Sequence, residues 1–392
     1  MPCEWTKDTF SLFVVQWVNC TLFFASFRVP SLVKGIKLNN NIEKYGFTNE
    51  IKSSENTEGL SWARVTSQHR DLYQIVTNQG FLQAKISGKL HHQIDNTIDY
   101  PAVGDWVLTS LEANSTGIIQ KVTPRKSVLT REASGNDSNG QIIASNIDTI
   151  FICMSLNANF NPRRVERYLT MAWDSGAIPV VVLTKSDLCD DLATKLQELE
   201  DVCMGVDIVI CSVETRTGLE ELLTYIKPQK TVAFVGSSGV GKSSLINWLS
   251  GNSELETKQV REGDDKGRHT TTSRQLLLLP NGGIVIDTPG MRELQLFVGN
   301  LSKTFEDITE LAKQCRFRDC THQTEPGCAV KQAVNDGQLD AERLKSYLKL
   351  QREMSYSGMN SRELENEKIN QMFGGKKAMK KLRQHMQQIK RR

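Results

Sequence analysis

The sequence predicts a multidomain α/β protein in which a doubly wound, mostly parallel sheet follows a small β-barrel and precedes a helical module. Three observations carry this prediction. Apolar, β-branched runs alternate with helical runs from residue 147 onward, as in βαβ units. Five short β-type runs fall within residues 61–131, and three cysteines cluster beside a histidine at residues 315–328.

Length and composition fit a globular protein of two or three domains. The chain has 392 residues, of which 39% are hydrophobic and 24% charged, and its net charge is +3. The chain is therefore only mildly basic on average. Six of its nine cysteines are scattered among apolar neighbours and are expected to be small buried hydrophobes.

The first 58 residues are expected to be an N-terminal extension and a linker. Residues 10–27 are apolar apart from five polar positions, which barely reaches the length of a transmembrane helix. A signal peptide is disfavoured because no basic segment precedes this run. A membrane anchor, a mis-assigned start and a nonfunctional extension stay open, and we expect a cytoplasmic protein without a membrane partner. The polar run at 49–58 is expected to be linker.

Residues 59–135 are expected to form an OB-type barrel, because short strands separated by turn formers are typical of small barrels. The β-type runs are residues 62–67, 72–77, 81–86, 104–110 and 117–122. Such barrels often bind RNA on one face, and a structural module without a ligand is the alternative. The basic side chains available for RNA are Arg64, His69, Arg70, Lys85 and Lys89.

Residues 136–304 are expected to form the central α/β domain, after a linker or ordered loop at 124–140. Alternating strands and helices predict a ligand crevice at the carboxyl ends of the strands. Strands are expected within residues 148–155, 179–187, 206–212, 231–236, 274–279 and 284–290. Helices are expected at residues 162–173, 192–202 and 218–226, with a further helix after residue 242.

The run GSSGVGKSS (residues 236–244) matches G-x-x-x-x-G-K-[ST] without a mismatch and lies between an apolar strand and a helical run. Glycines let backbone N–H groups wrap a phosphate chain at a helix N-terminus. Lys242 is expected to meet the β- and γ-phosphates, and the Ser243 hydroxyl to bind Mg²⁺. The predicted phosphate site comprises Gly236, Ser237, Ser238, Gly239, Val240, Gly241, Lys242, Ser243 and Ser244.

Two motifs are expected to select guanine. Thr184-Lys185-Ser186-Asp187 follows a buried strand, and Asp187 can accept hydrogen bonds from guanine N1–H and N2–H₂, a donor pair that adenine lacks. The Lys185 stem can lie over the base, and Ser212 follows the next strand as a small residue near guanine O6. Taken alone, T-K-x-D is a weak match, and a helix N-cap aspartate would be the better interpretation. Together with the phosphate loop, the set is specific.

A third motif and the loop before it are expected to sense the γ-phosphate. Asp287 and Gly290 of D-T-P-G would place a carboxylate near Mg²⁺, through water, and an amide near the γ-phosphate. Thr271, in GRHTTT (residues 267–272), is expected to close over Mg²⁺. The long charged loop that contains it is of the kind that nucleotide orders and hydrolysis releases.

Intrinsic turnover is expected to be slow. Met291 stands where Ras-like enzymes place a glutamine that orients the attacking water, and a thioether cannot do this. His269 is the candidate for a catalytic side chain; a loop histidine without a catalytic role is an equal alternative.

The order of the motifs predicts a circular permutation. The base-reading motifs precede the phosphate loop, whereas in ordinary small GTPases they follow it. The D-T-P-G motif consequently leads straight into the C-terminal module. A γ-phosphate-dependent shift at this motif can therefore move that module directly.

The C-terminal module, residues 305–392, contains a candidate metal site. Three thiols and one imidazole within 14 residues form a Cys₃His set, typical of a closed structural zinc site, although chance adjacency is the alternative because C-x₂-C spacing is missing. The candidate ligands are Cys315, Cys320, His322 and Cys328. The tail from residue 375 is rich in lysine and arginine, which predicts either contact with a phosphate backbone or a solvated helix.

Taken together, TKSD, GSSGVGKSS, GRHTTT, DTPGMRE and FRDCTHQTEPGCAV resemble the ribosome small-subunit-dependent GTPases of the RsgA/YjeQ type, over residues 60–375. YPAVGDWV and RKSVLTRE resemble the family's OB domain. The resemblance implies an N-terminal OB-type β-barrel, a circularly permuted P-loop GTPase domain and a C-terminal α-helical zinc-binding domain. It further implies a monomer that hydrolyses GTP to GDP with Mg²⁺, holds one structural Zn²⁺, and binds the small ribosomal subunit and its rRNA during late maturation.

Two other functions stay open on the sequence. An RNA-binding assembly scaffold could keep GTP as a structural ligand, but such a site need not retain Lys242, Ser243 and Asp287 together. A membrane-attached GTPase switch rests on residues 10–27 alone.

Overall fold

A computed structural model gives the structure of the chain and describes residues 42–57, 59–111, 116–132, 140–251, 274–287 and 300–356, with 363, 366–367, 369 and 376–381. These residues belong to one unit, residues 38–392. The apolar run at 10–27 lies outside them. Among the helices so described, none is both long and apolar enough to cross a bilayer.

Five strands close into a barrel near the start of the described chain. They are β1 (Ser61–His69), β2 (Leu72–Thr77), β3 (Gly80–Ile86), β4 (Trp106–Leu111) and β5 (Gly117–Val122). The pairing order is β1-β2-β3-β5-β4, and a β1–β4 pairing closes the ring. The predicted OB-type barrel is therefore confirmed. Alternate residues such as Val65, Ile75 and Ile119 fill its interior.

The segment before the barrel is part of the fold, contrary to the expected linker. A 3₁₀ helix spans Ile42–Tyr45, and α1 spans Asn49–Ser53 within the supposed linker. Ile42 is only 1% exposed, and the Phe47 ring lies 5.2 Å from the Trp106 ring. These apolar residues are spaced too irregularly to show a period, which is why the sequence pattern did not reveal them.

A hairpin replaces the linker or loop expected at 124–140. Strands β6 (Val128–Glu132) and β7 (Gly140–Ser145) pair in antiparallel register and join the barrel to the central domain. Leu129 and Ile143 are buried against the central core, which explains why this polar and basic stretch folds as strands. In the barrel, α2 (Gly88–Gln93) connects β3 to β4.

A mostly parallel sheet forms the centre of the protein. Its strands are β8 (Thr149–Ser155), β9 (Ile178–Thr184), β10 (Asp207–Ile210), β11 (Thr231–Val235), β12 (Gln275–Leu278) and β13 (Ile284–Asp287). Their order is β10-β9-β8-β11-β13-β12, and only β12 runs antiparallel to its neighbour. β12 also meets β1 of the barrel, through Ser67 and Gln275.

Helices cover both faces of this sheet, as predicted for a doubly wound domain. They are α3 (Pro162–Ser175), α4 (Leu192–Glu200), α5 (Leu219–Tyr225) and α6 (Lys242–Ser250). Side chains of α3 and α4 share one buried cluster, and side chains of α5 and α6 share the other. The alternation along the strands divides the sheet residues between the two clusters.

The C-terminal module contains α7 (Leu301–Thr304), α8 (Glu306–Ala312), α9 (Ala329–Asn335) and α10 (Ala341–Ser355), and residues 376–381 are also helical. Apolar residues of α7 to α10 continue the cluster on the α3 face of the sheet, with Phe305 and Ile308 fully buried.

Arg64 fastens the barrel to the central sheet and is not an exposed RNA contact. Its side chain is 2% exposed. The guanidinium donates hydrogen bonds to the carbonyls of Tyr45 (2.5 Å) and Gly104 (3.1 Å) and to the Thr231 hydroxyl (3.0 Å). Burial lowers its pKa to about 10, so the group stays charged at neutral pH. The expectation that Arg64 is available to RNA was therefore wrong.

Replacing Arg64 by Met should destabilise the chain. The carbonyls of Tyr45 and Gly104 would lose their donor inside a dry junction, at a cost of about 3 kcal/mol in the free energy of unfolding. Urea unfolding followed by circular dichroism measures this loss. Lys85→Met, at an exposed position of β3, is the control and should leave the unfolding midpoint unchanged. Equal midpoints for the two variants would contradict the assignment.

Candidate nucleotide and metal sites

The predicted nucleotide motifs meet at the carboxyl ends of the parallel strands. Strand order reverses between β8 and β11, since β9 and β10 extend the sheet from β8 and β13 extends it from β11. Such a reversal opens a crevice where α/β sheets bind ligands. The loop at 236–241 follows β11 directly, while Thr184 and Asp287 end β9 and β13.

Gly236 shows why the loop after β11 requires glycine. Its φ is +143°, and a Cβ added there would lie 2.4 Å from the Cys153 carbonyl oxygen. Gly241, which caps α6, has a φ of +98°. The backbone thus passes directly over β8 and turns sharply into α6, along a path that a side chain at either position would strain.

The charged Nζ of Lys242 lies against this loop. Its Nζ donates to the carbonyl oxygens of Gly236 and Ser237, at 2.7 Å each. Burial lowers the pKa of Lys242, and the nearby Cys153 and Asp287 partly oppose that shift. A cation that is already desolvated and fixed in place gives up little hydration on meeting a phosphate. The arrangement suits binding of a phosphate chain.

The remaining loop residues leave this surface accessible. Ser238, Gly239 and Ser243 are exposed. Val240 is fully buried and anchors the loop in the core beneath it. The partly buried members of the predicted set are Ser237, Gly241, Lys242 and Ser244.

The two motifs predicted to select guanine lie side by side. The Ser212 hydroxyl donates a hydrogen bond to the Asp187 carboxylate, and the Ser186 N–H donates to the Cys211 carbonyl at 3.3 Å. Lys185 has a φ of +56°, so the chain turns at that residue into a short 3₁₀ helix. The turn leaves Asp187 exposed at the edge of the sheet, where its second oxygen can accept a donor from a base.

Thr184 contacts the phosphate loop instead of facing outward. It is 3% exposed, and its hydroxyl donates to the Val240 carbonyl oxygen at 2.5 Å. This hydrogen bond of the hydroxyl therefore connects the base-reading motif to the phosphate loop. The sequence motif alone could not distinguish this contact from a contact with guanine.

Only Asp287 of the predicted γ-phosphate sensors lies within the described chain, at the end of β13 and near enough to Lys242 to affect its pKa. His269, Thr271, Gly290 and Met291 lie outside the described residues.

Tyr168, on α3, is a neighbour of the loop that the sequence analysis missed. It is 2% exposed, and burial raises the pKa of its phenol while the nearby Ser237 side chain partly opposes that shift. The apolar spacing of Val165, Tyr168 and Leu169 indicates a core-facing stripe. It does not indicate that this stripe reaches the phosphate loop.

The predicted metal ligands converge. One donor atom from each of Cys315, Cys320, His322 and Cys328 lies within 4.8 Å of the others. The Cys315 and Cys328 sulfurs are 3.9 Å apart, and His322 Nδ1 lies 3.7 and 3.4 Å from them. Tetrahedral Zn²⁺ with bonds of about 2.3 Å to sulfur and about 2.05 Å to nitrogen gives edges of about 3.8 and 3.5 Å. The residues therefore fit a Zn²⁺ ion.

The charges of this cluster also favour a cation. Burial and the neighbouring thiols Cys328 and Cys315 raise the pKa of Cys320 to about 11. Burial also opposes ionisation of Cys315, but the N–H groups of Val330 and Ala329 lower its pKa overall. Thiols this close together do not ionise together unless a cation compensates them, and a zinc ion would deprotonate them. His322 adopts a φ of +60°, a strained conformation maintained at this cluster.

Comparisons with a family model and with curated relatives indicate the same protein family. The family model RsgA GTPase matches residues 122–297. The chain is 58% identical over 345 residues to small ribosomal subunit biogenesis GTPase RsgA 2 of Lactiplantibacillus plantarum, covering 88% of this chain and 98% of that protein. It is 47% identical over 318 residues to the protein of that name from Listeria monocytogenes, and this match covers 80% of this chain and 90% of that protein. A model described as ABC transporter also matches residues 219–388, a range that includes the phosphate loop common to P-loop proteins.

Solved structures agree with these relatives. The crystal structure of YjeQ from Thermotoga maritima matches with a TM-score of 0.58 and 30% identity, covering 76% of this chain and 99% of that one. YloQ, described as a circularly permuted GTPase, matches with a TM-score of 0.54 and 26% identity. This match covers 77% of this chain and 97% of that one.

Replacing Asp187 by Asn should change base preference. An amide cannot accept both guanine donors, so GTP affinity should fall about 100-fold, because hydrogen bonds to a charged group contribute about 1.5–3 kcal/mol each. Xanthosine triphosphate, whose 2-oxo group accepts from the new amide, should bind the variant better than GTP does. Titration with fluorescent nucleotides measures both affinities. Asp190→Asn, an exposed neighbour, should bind GTP like the parent; an equal loss in both variants would contradict the role of Asp187.

The metal site predicts one zinc per chain. Metal analysis of the purified full chain by mass spectrometry should find one zinc ion per chain. Cys328→Ser should lower the content well below one zinc per chain. It should also reduce thermal stability, because metal binding contributes to the folding of such modules. Cys189→Ser, a cysteine outside the cluster, is the matched control and should keep its zinc. A parent chain without zinc, or a Cys328 variant that retains it fully, would contradict the site.

Proposed function

The chain belongs to the RsgA GTPase family, and from this premise we propose that it binds the small ribosomal subunit and assists its late maturation. In this proposal it hydrolyses GTP to GDP and phosphate, the subunit stimulates turnover, and hydrolysis is coupled to release. The observation that carries the proposal is that three features lie at one edge of the sheet. They are the accessible phosphate loop with the Lys242 ammonium over it, the Asp187 carboxylate and the end of β13.

The residue roles follow from the charges of the nucleotide. Lys242 and the amides of the loop bind the phosphates, and the Ser243 hydroxyl ligates Mg²⁺ with Asp287 acting through water. Asp187 binds guanine, and Lys185 lies over the base. Thr184 holds the base-reading motif against the loop through Val240.

The segments around the γ-phosphate complete the site. Thr271 closes over Mg²⁺, and the Gly290 amide meets the γ-phosphate. Met291 cannot orient a water molecule, so His269 is the proposed catalytic side chain and the subunit is needed to bring it into place. The metal, bound by Cys315, Cys320, His322 and Cys328, is structural in this scheme and takes no part in hydrolysis.

Exposed basic and aromatic side chains support rRNA as the partner. Arg316, Phe317 and Arg318 lie exposed between two of the candidate zinc ligands, and the Arg316 guanidinium is 5.5 Å from the Phe317 ring. An aromatic ring next to arginines suits unpaired bases and phosphates of RNA. The relatives' names, small ribosomal subunit biogenesis GTPase, support the same partner. A monomeric protein of the cytoplasm fits this role.

GTP hydrolysis by the purified chain tests this function. The assay uses the chain alone and with small subunits, large subunits or free RNA. Turnover by the chain alone should be slow and should rise only with small subunits. Met291 cannot orient the attacking water, and in this proposal the subunit brings His269 into place to do so. Arg316→Gln with Arg318→Gln should weaken subunit binding, whereas Lys349→Gln with Arg352→Gln removes equal charge from α10 and should not. Tight guanine-nucleotide binding without stimulation by any partner would favour the scaffold reading.

A further inference from the structure

The candidate zinc ligands are attached to the fold in different ways. Cys328 is the N-cap of α9, and its sulfur accepts a hydrogen bond from the Lys331 N–H at 3.4 Å. Cys315 lies just beyond the end of α8. His322 belongs to neither helix and lies in the turn that connects Cys320 to Cys328. Its position therefore depends on what shapes this turn.

The backbone of His322 is strained. Its φ is +60°, in the left-handed region that residues other than glycine seldom adopt. In this conformation Nδ1 lies 3.4 Å from the Cys328 sulfur and 3.7 Å from the Cys315 sulfur. Because φ sets the direction of the side chain, relaxation of the backbone would move the imidazole away from the thiols. Contacts elsewhere in the turn must therefore maintain the conformation of His322.

The Glu325 carboxylate holds the turn on both sides of His322. Its Oε1 accepts from the Thr321 N–H at 3.0 Å and from the Thr321 hydroxyl. Its Oε2 accepts from the N–H groups of Gln323 and Thr324, at 3.0 Å each. One carboxylate thus receives four hydrogen bonds, from the residue before His322 and from the two residues after it.

The negative charge of Glu325 strengthens these contacts. Hydrogen bonds to an ionised group are roughly twice as strong as those between neutral groups. The Thr321 hydroxyl, followed by backbone N–H groups, lowers the pKa of Glu325 to about 2, so the carboxylate is ionised at neutral pH. A glutamine at this position would lose the charge and would turn its own NH₂ group toward N–H donors.

A lysine of α9 joins the same turn to the helix. Lys331 Nζ donates to the Gln323 carbonyl oxygen at 2.7 Å, while the Lys331 N–H donates to the Cys328 sulfur. The turn that contains His322 is thereby tied to the helix that Cys328 caps. Two of the candidate ligands are thus held in a fixed relation to each other.

We propose that Glu325 is a positioning residue for the metal site and holds His322 in the conformation that a Cys₃His zinc site requires. It acts through the backbone, since its hydrogen bonds reach the neighbours of His322 rather than the imidazole. Mutating residues that orient metal ligands from outside the ligand set usually lowers metal affinity about 10–100-fold. The inference rests on the candidate zinc site and is independent of the nucleotide and ribosomal roles proposed above.

Zinc release from the purified full chain tests the proposal. Zinc-loaded parent and variants are mixed with an excess of a colorimetric zinc chelator, and the transfer of zinc is followed over time. Glu325→Gln should release zinc about tenfold faster than the parent, because its amide cannot accept all four donors. Thr321→Val removes one donor and keeps the side-chain shape, so it should release zinc about threefold faster.

Cobalt substitution reports on the position of His322 itself. Co²⁺ in place of zinc gives visible absorption bands that depend on the ligand atoms and their geometry. In Glu325→Gln these bands should shift away from those of the parent, because the imidazole is no longer held at the metal. A side chain that merely stabilised the module would lower its melting temperature and leave the bands unchanged.

Two matched variants give the baseline for both measurements. Thr324→Val alters a neighbouring threonine whose backbone N–H, rather than its hydroxyl, donates to Glu325. Glu310→Gln removes an exposed carboxylate of α8 that pairs with Lys313. Both variants should release zinc at the parent's rate and should keep its cobalt bands.

Faster zinc release together with shifted cobalt bands in Glu325→Gln supports the proposal. Release at the parent's rate, or faster release with the parent's bands, would overturn it. Should circular dichroism show that Glu325→Gln is unfolded, Thr321→Val decides: release faster than from Thr324→Val supports the proposal, and an equal rate overturns it. A parent chain that binds no zinc would overturn the metal site itself while leaving the proposed GTPase function intact.

Discussion

Two buried arginines hold the modules of this protein around one sheet. Burying a guanidinium is unfavourable unless its donors are satisfied, so each arginine fixes the groups that surround it. Arg64 joins the barrel to Thr231, where β11 begins, and β11 leads into the phosphate loop. Arg343 joins the C-terminal helices to Glu166 of α3, and α3 follows β8, the strand over which the same loop passes. Both flanking modules are thus fastened to elements that end at the nucleotide crevice.

This arrangement supports the proposal that a large partner stimulates the GTPase activity. The circular permutation places D-T-P-G immediately before the C-terminal module, and Asn300 contacts α3 as soon as that segment ends. The barrel approaches from the other side, where β1 pairs with β12. An RNA surface that engages both modules would therefore act on the crevice from two directions. A chain without a water-orienting glutamine after D-T-P-G would have to rely on such a partner for its rate.

The sequence was sufficient to predict the positions of the candidate sites that are built from short continuous motifs. The loop at 236–244, the T-K-S-D turn and the Cys₃His cluster lie where their spacing indicated, because each is built from neighbours in the chain. The five barrel strands and the doubly wound sheet also followed from their periodicity. What the sequence did not predict depends on contacts between distant residues. Arg64 was taken for a surface cation, although its partners are up to 167 positions away. Ile42 and the β6–β7 hairpin fold only because a core formed elsewhere covers them, and nothing local to Thr184 indicates that its hydroxyl bonds to the phosphate loop.

The central claim is that the nucleotide at the sheet edge controls how the flanking modules engage the small subunit. Sedimentation of the full chain with purified small subunits, in the presence of a non-hydrolysable GTP analogue or of GDP, tests it most directly. The account predicts that the chain co-sediments with the subunit when the analogue is bound and is released with GDP. Equal retention with both nucleotides, at concentrations that saturate the crevice, would contradict it.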